Sequence, residues 1–197
     1  MKKINLYRFV ILGCFIALFN FASVTHTFGQ SGSITTAEPV RLFSDQSVRV
    51  PRSGSMLVRS GNGVFGSVNT TGLAPGTVTS AWIAIFNTPS ACATNPCTAI
   101  DLDNPAVHGG SFSIGARIVG ADGAANLGGF RAVGDISDLF RGTRGLILPM
   151  SAEIHLVIRT HGAASSDPAV LAQQLTMFNG GCPPNTCSNV QITIHQQ

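Results

Sequence analysis

Residues 151–162 read SAEIHLVIRTHG. Every second residue separates Ile154, Leu156 and Ile158 from Glu153, His155, Val157, Arg159 and His161. A strand sends alternate side chains to opposite faces. One face of this segment would therefore carry a carboxylate, two imidazoles and a guanidinium. Same-face neighbours lie roughly 6.6 Å apart along a strand, and residues six apart about 20 Å. Glu153 and His155 can thus approach one ion or one substrate together, whereas His155 and His161 need a bend near Thr160 to do so. Gly162 permits such a bend. Imidazole plus carboxylate suits zinc or copper, and His108 or His195 from other segments would complete a metal shell around Glu153 and His155. The plainer alternative is a wet sheet face whose ionisable side chains pair across strands. His108 stands in a loop, NPAVHGG (104–110), and His195 on the expected polar face of the last strand. Asp101 and Asp103 share one side of AIDLDNP (99–105). Two carboxylates alone fall short of the oxygens that Ca²⁺ requires.

The elements that must position these groups are strands. SGSMLVRSG (53–61), NGVFGSVNTTG (62–72), VTSAWIAIFN (78–87), SFSIGARIVG (111–120), AANLGGFRAVGD (124–135), residues 152–160 and NVQITIHQ (189–196) have strand character, with Gly-rich turns between them. VTSAWIAIFN is apolar on both faces and reads as a central strand, with Trp82 filling the core. The ADG at 121–123 predicts a hairpin joining its two flanking strands. In the last strand Val190, Ile192 and Ile194 are expected to point inward. SSDPAVLAQQL (165–175) holds the one helix start, with Asp167 as cap and Pro168 in the first turn. Many short strands and one short helix predict an all-β fold, an antiparallel sandwich of Ig-like or superoxide-dismutase-like Greek-key type.

The chain opens with Lys2, Lys3 and Arg8 ahead of the apolar run FVILGCFIALFNFA (9–22), the pattern of a signal peptide, too short for a membrane-spanning helix. Residues 1–29 are assigned to that signal, with cleavage before Gln30 or after Ala22; ILGC (11–14) also resembles a lipobox. Residues 30–50 then form a loose N-terminal segment and 51–197 a single sandwich domain. Beyond the signal, nine Arg balance nine Asp plus Glu. A neutral chain lacks the basic footprint for nucleic acid or anionic lipid. Cys92 and Cys97 in CATNPC, and Cys182 and Cys187 in CPPNTC, are equally spaced pairs in turn-forming loops. After export the expected pairings are Cys92–Cys97 and Cys182–Cys187, with a four-thiolate zinc site as the rival. No GxSxG, HExxH or P-loop motif is present, the GNGVFG at 61–66 joins two strand-like runs and opens no helix as a dinucleotide fingerprint must, and no serine has the setting of an activated nucleophile.

The runs GLAPGT, AWIAIFNTPSAC, IVGADGAANLGGF, AEIHLVIRTHG and FNGGC resemble a family of exported bacterial proteins over about residues 72–195. More distantly, the path from GLAPG to AEIHLVIRTHG is similar to the CHRD (chordin-type) domain. That domain has a His-x-His-type strand end followed by Gly. Here Glu153 occupies the first histidine position and only His155 matches, which weakens transfer of metal binding. The resemblance implies an extracytoplasmic β-sandwich and no particular reaction. The expectation is a non-enzymatic protein of the periplasm, envelope or extracellular space, without a cofactor. The alternative is a Zn or Cu protein using Glu153 and His155.

Overall fold

The period-two runs become strands in the computed structural model, which describes residues 32–184 and 186–197. The expected signal segment lies outside these residues. Ten strands are described: β1 (Ile34–Glu38), β2 (Arg41–Leu42), β3 (Gly54–Ser60), β4 (Gly63–Thr70), β5 (Thr77–Phe86), β6 (Gly109–Ile118), β7 (Ala125–Ala132), β8 (Arg141–Gly142), β9 (Glu153–Ala163) and β10 (Ser188–His195). One helix, α1 (Pro168–Thr176), joins β9 to β10. Its start is as the sequence predicts: the Asp167 side chain accepts from the Ala169 N–H, and Pro168 sits in the first turn. No helix among the described residues is long and apolar enough to cross a membrane.

The strands form two antiparallel sheets, β1-β3-β4-β7 and β2-β10-β9-β5-β6-β8. The fold is an antiparallel β-sandwich. Leu57, Val64, Val68 and Leu127 of the smaller sheet pack onto Ile83, Ile85, Phe112, Ile154, Leu156 and Ile158 of the larger. β5 is central, between β6 and β9, and buried on both faces. Asn87, just beyond β5, fixes the next turns with all its side-chain hydrogen-bonding capacity. Its amide donates to the carbonyls of His108 and Gly145, and its oxygen accepts from the Ile147 and Leu148 N–H groups.

Three expectations about organisation are corrected. Within the segment expected to be loose, residues 34–42 are tied down: β1 pairs along its whole length with β3, and β2 pairs with β10. Thr36 adds a hydrogen bond to His195, so short polar strands are held by partners far along the chain. The ADG turn does not close a hairpin, because β6 pairs with β5 and β8 while β7 pairs with β4. The turn passes the chain between sheets and is anchored on the 73–77 segment through Val119 N–H to Thr77 O and Leu73 N–H to Gly123 O. Both flanking strands keep an apolar face, but Phe112 and Leu127 enter the common core from opposite sheets instead of lying side by side.

The last strand packs Val190 against the core as expected, but beyond it the strand is turned over. Gln191, Thr193 and His195 face the smaller sheet, where they bond to Thr70, Ser55 and Thr36, while Ile192 and Ile194 face outward. A register shift between Asn189 and Gln191 sets this phase. Alternation reports which residues share a face; it identifies the inner face only when the other face is wet. In β10 both sides are covered.

Candidate binding groove

The ionisable face of β9 is buried. Glu153, His155, Arg159 and His161 are each less than 9 % exposed, so the expected wet face is overturned. The cause is a second layer: the segments that carry the two cysteine pairs fold over the outer side of the larger sheet, and the polar residues of β9 hold them there. At one end, Glu153 Oε1 accepts from the Cys97 N–H at 2.7 Å and lies 2.7 Å from His155 Nε2. Its Oε2 accepts from Gln196. Burial raises the Glu153 carboxyl, but the hydrogen bonds from His155, Gln196 and Cys97 outweigh it, and the group lies below its ordinary value. Glu153 is therefore a carboxylate, and it fixes a proton on His155 Nε2.

At the other end, Arg159 Nε donates to Phe178 O at 2.7 Å, and its two Nη atoms reach the Asn189 and Asn179 side chains, both at 3.0 Å. The guanidinium lies 4.0 Å above the Phe178 ring, a cation–π contact. His161 bonds through Nδ1 to Gly180 O at 3.0 Å, so that nitrogen carries the hydrogen, and Nε2 accepts from Ser80 Oγ at 2.8 Å. Ser80 Oγ in turn accepts from Trp82 Nε1 at 2.8 Å. Burial, followed in size by the opposing Gly180 hydrogen bond and the Arg159 charge, leaves His161 below its ordinary value. Gly180 has to be glycine, since a Cβ there would overlap the Gln173 carbonyl at the end of α1.

Cys92–Cys97 and Cys182–Cys187 are disulfide-bonded, as the spacing predicts. Both staple the ends of this second layer, a pairing compatible with an extracytoplasmic location. Each closes a short loop and contributes about 2 kcal/mol in the chain-entropy model. The double substitution Cys92→Ser/Cys97→Ser is expected to lower stability by about that amount in urea titration. A loss below about 0.5 kcal/mol would show that Glu153 and the Asp101 hydrogen bonds hold this loop without it.

Between its pinned ends the second layer stands off the sheet. It leaves a groove of about 790 Å³ with Trp82, Ala84 and Phe86 of β5, His155 and Val157 of β9, and Ile192 and Ile194 of β10 on its floor. Residues 94–99 with Leu102 form one wall, and Phe43, Phe140 and Phe178 another. Trp82 meets Phe140 and Phe178 edge-on at 5.5 and 5.0 Å, and those two rings stack at 4.1 Å. Trp82 is thus buried, as expected, but in this outer layer and not between the sheets. Polar side chains, Thr94, Asn95, Thr98, Ser111 and Arg141 among them, are a minority of the lining. Arg141 is held by Asp103.

The residues considered for metal do not assemble. Glu153 and His155 adjoin, but His195 lies on the opposite face of the sheet, in register with Ile154. Its nitrogens bond to Thr36 and Ser55. His108 is exposed in the turn before β6, with φ of 54°. One open imidazole nitrogen is less than zinc or copper requires. Asp101 and Asp103 also separate: Asp101 accepts from Ala93 N–H, Thr98 N–H and the Thr98 hydroxyl, and Asp103 pairs with Arg141. Among the described residues the grouping with metal-ligand spacing is His161, Cys182 and Cys187, whose two sulfurs are joined as a disulfide. The groove itself escaped the sequence reading. Its signal was the unusual apolarity of both faces of β5, with the outward members Trp82 and Phe86. Comparison of the chain with protein-family models, curated proteins and solved structures found no match.

Proposed function

We propose that the protein is an exported, non-enzymatic binding protein that takes up a small apolar molecule in the groove over its larger sheet. The observation that carries this reading is the groove: about 790 Å³, mostly aromatic and aliphatic on its floor and on the wall of Phe43, Phe140 and Phe178. That size and lining suit a small-molecule site. Export is supported by the apolar N-terminal run and the two disulfides. Absence of catalysis is supported by the state of the two buried serine–histidine pairs among the described residues: Ser55 and His195 are closed off between the sheets by Thr193 and Thr36. Ser80 and His161 are committed to Trp82 and Gly180, so the serine hydroxyl is already bonded on both sides.

Titration of the processed protein with Nile red, a neutral apolar dye, tests the reading. Saturable uptake with about one dye per chain and a blue-shifted emission is expected. Ala84→Phe places a ring in the floor and is expected to weaken uptake at least about tenfold, with the circular dichroism spectrum unchanged. Uptake that never saturates, or that Ala84→Phe leaves untouched, would remove the groove as the binding site.

A further inference from the structure

Two polar atoms on the groove floor lack a protein partner. His155 Nδ1 makes no hydrogen bond to any described residue, because Glu153 engages only Nε2. The Ser111 hydroxyl likewise bonds to no described residue. Both residues line the groove, and both are more than nine-tenths buried. They flank one position: His155 and Ser111 are each in register with Ala84, on either side of β5. Their backbones are therefore about 10 Å apart, two strand spacings. The methyl side chain of Ala84 leaves room between them.

Neither atom is sealed off, since the one fully buried side-chain polar atom without a partner among the described residues is Arg131 Nε, so both remain open to a ligand group that can hydrogen-bond to them. The hydrogen on Nε2 is given to a carboxylate, which leaves a lone pair on Nδ1 facing the groove. Ser111 Oγ–H can donate. A group that donates on one side and accepts on the other satisfies both, and a hydroxyl does this with one atom. The groove also favours a neutral occupant. The guanidinium of Arg141 is engaged by Asp103 and that of Arg159 by three oxygens, so neither is free for an anion. The Glu153 carboxylate behind His155 opposes an anion as well. A cation would find no open carboxylate among the groove-lining residues.

Building on the groove reading above, we propose that the occupant is a neutral, ring-containing alcohol or phenol. Its hydroxyl sits over Ala84, donating to His155 Nδ1 and accepting from Ser111 Oγ. Its apolar body packs against Trp82, Phe86 and Phe178. Glu153 is a positioning residue here, since it sets which imidazole nitrogen faces the ligand.

The test compares 1-naphthol with 1-methylnaphthalene, which exchanges the hydroxyl for a methyl of similar size, by equilibrium dialysis at neutral pH. The wild type is expected to bind 1-naphthol at least about tenfold more tightly, the scale of one well-made buried hydrogen bond. Ser111→Ala deletes a single atom and is expected to reduce that ratio several-fold while leaving 1-methylnaphthalene binding unchanged. His155→Phe is expected to abolish the ratio. Equal binding of the two compounds by the wild type, or an unchanged ratio in Ser111→Ala, overturns the hydroxyl assignment and leaves the groove reading standing. Binding of neither compound removes both.

Discussion

Replacing Arg59 with alanine is expected to cost about 4 kcal/mol of folding stability, from buried hydrogen bonds to a charged group and from the cavity left behind. Arg59 lies on the inner face of β3, 2 % exposed, with no acidic partner among the described residues. Its charge is met by carbonyls. Nη1 donates to Pro149 O at 2.9 Å and to Ala152 O at 2.7 Å, and Nη2 donates to His195 O at 3.2 Å. These carbonyls belong to the entry into β9 and the end of β10, so one side chain of the smaller sheet ties two strands of the larger. Burial lowers the guanidinium's proton affinity, but arginine stays charged in proteins. Truncation would strand three carbonyls and open a large void. Urea unfolding of Arg59→Ala at neutral pH should show the loss as a lower midpoint with a similar slope. A cost under about 1 kcal/mol would mean that the desolvation of this unpaired cation cancels what its hydrogen bonds contribute.

The second large effect is acid lability centred on His195. The imidazole is fully buried between the sheets, 2.8 Å from Thr36 Oγ1 and 3.0 Å from Ser55 Oγ. Burial first, then the neighbouring Arg59 and His155, push it down to about 4 from an ordinary 6.5. Above pH 6.5 it is neutral in the folded and unfolded chain alike. As pH falls from 6.5 towards 4, the unfolded chain binds a proton that the folded chain refuses, so stability declines across that window. The decline amounts to about 3 kcal/mol, at 1.36 kcal/mol per pH unit. His161, also lowered, acts in the same direction. The carboxylates held below their ordinary values, Glu153 and Asp101 among them, add their losses at lower pH. Unfolding midpoints measured at pH 7, 5.5 and 4 should fall steadily, and His195→Gln should flatten much of that slope. An equal slope in the variant would assign the lability to other groups.

Much of the architecture could be read from residue order. The two-residue rhythm located β3 to β7, β9 and β10 within a few residues, because each must bury at least one face. Asp167 followed by Pro168 marked the helix start by local hydrogen bonding alone. The cysteine pairs were legible for the same reason: the four residues between each pair include Pro and Asn and bring their own ends together. The short β1 and β2 were not legible, since strands of five and two residues with no apolar alternation have no rhythm of their own and owe their state to β3 and β10.

The groove sits at the limit of that legibility. Glu153, His155, Arg159 and His161 were correctly placed on one face, but the face was taken as solvated because ionisable side chains usually are. Here Glu153, Arg159 and His161 each bind a backbone or side-chain group of a segment beyond the strand, His155 binds Glu153, and that satisfaction is what permits burial. His195 was grouped with His155 as a ligand candidate, yet the phase of β10 puts it through the sheet.

By itself, the sequence determined the local terms: which residues alternate, where turns and the helix begin, and which cysteines can pair. Only the tertiary structure decided that the outer side of the larger sheet would be roofed, that β10 would turn its polar side inward, and that His155 and Ser111 would flank Ala84. Those outcomes depend on hydrogen bonds between residues tens of positions apart. No short window of sequence contains both partners.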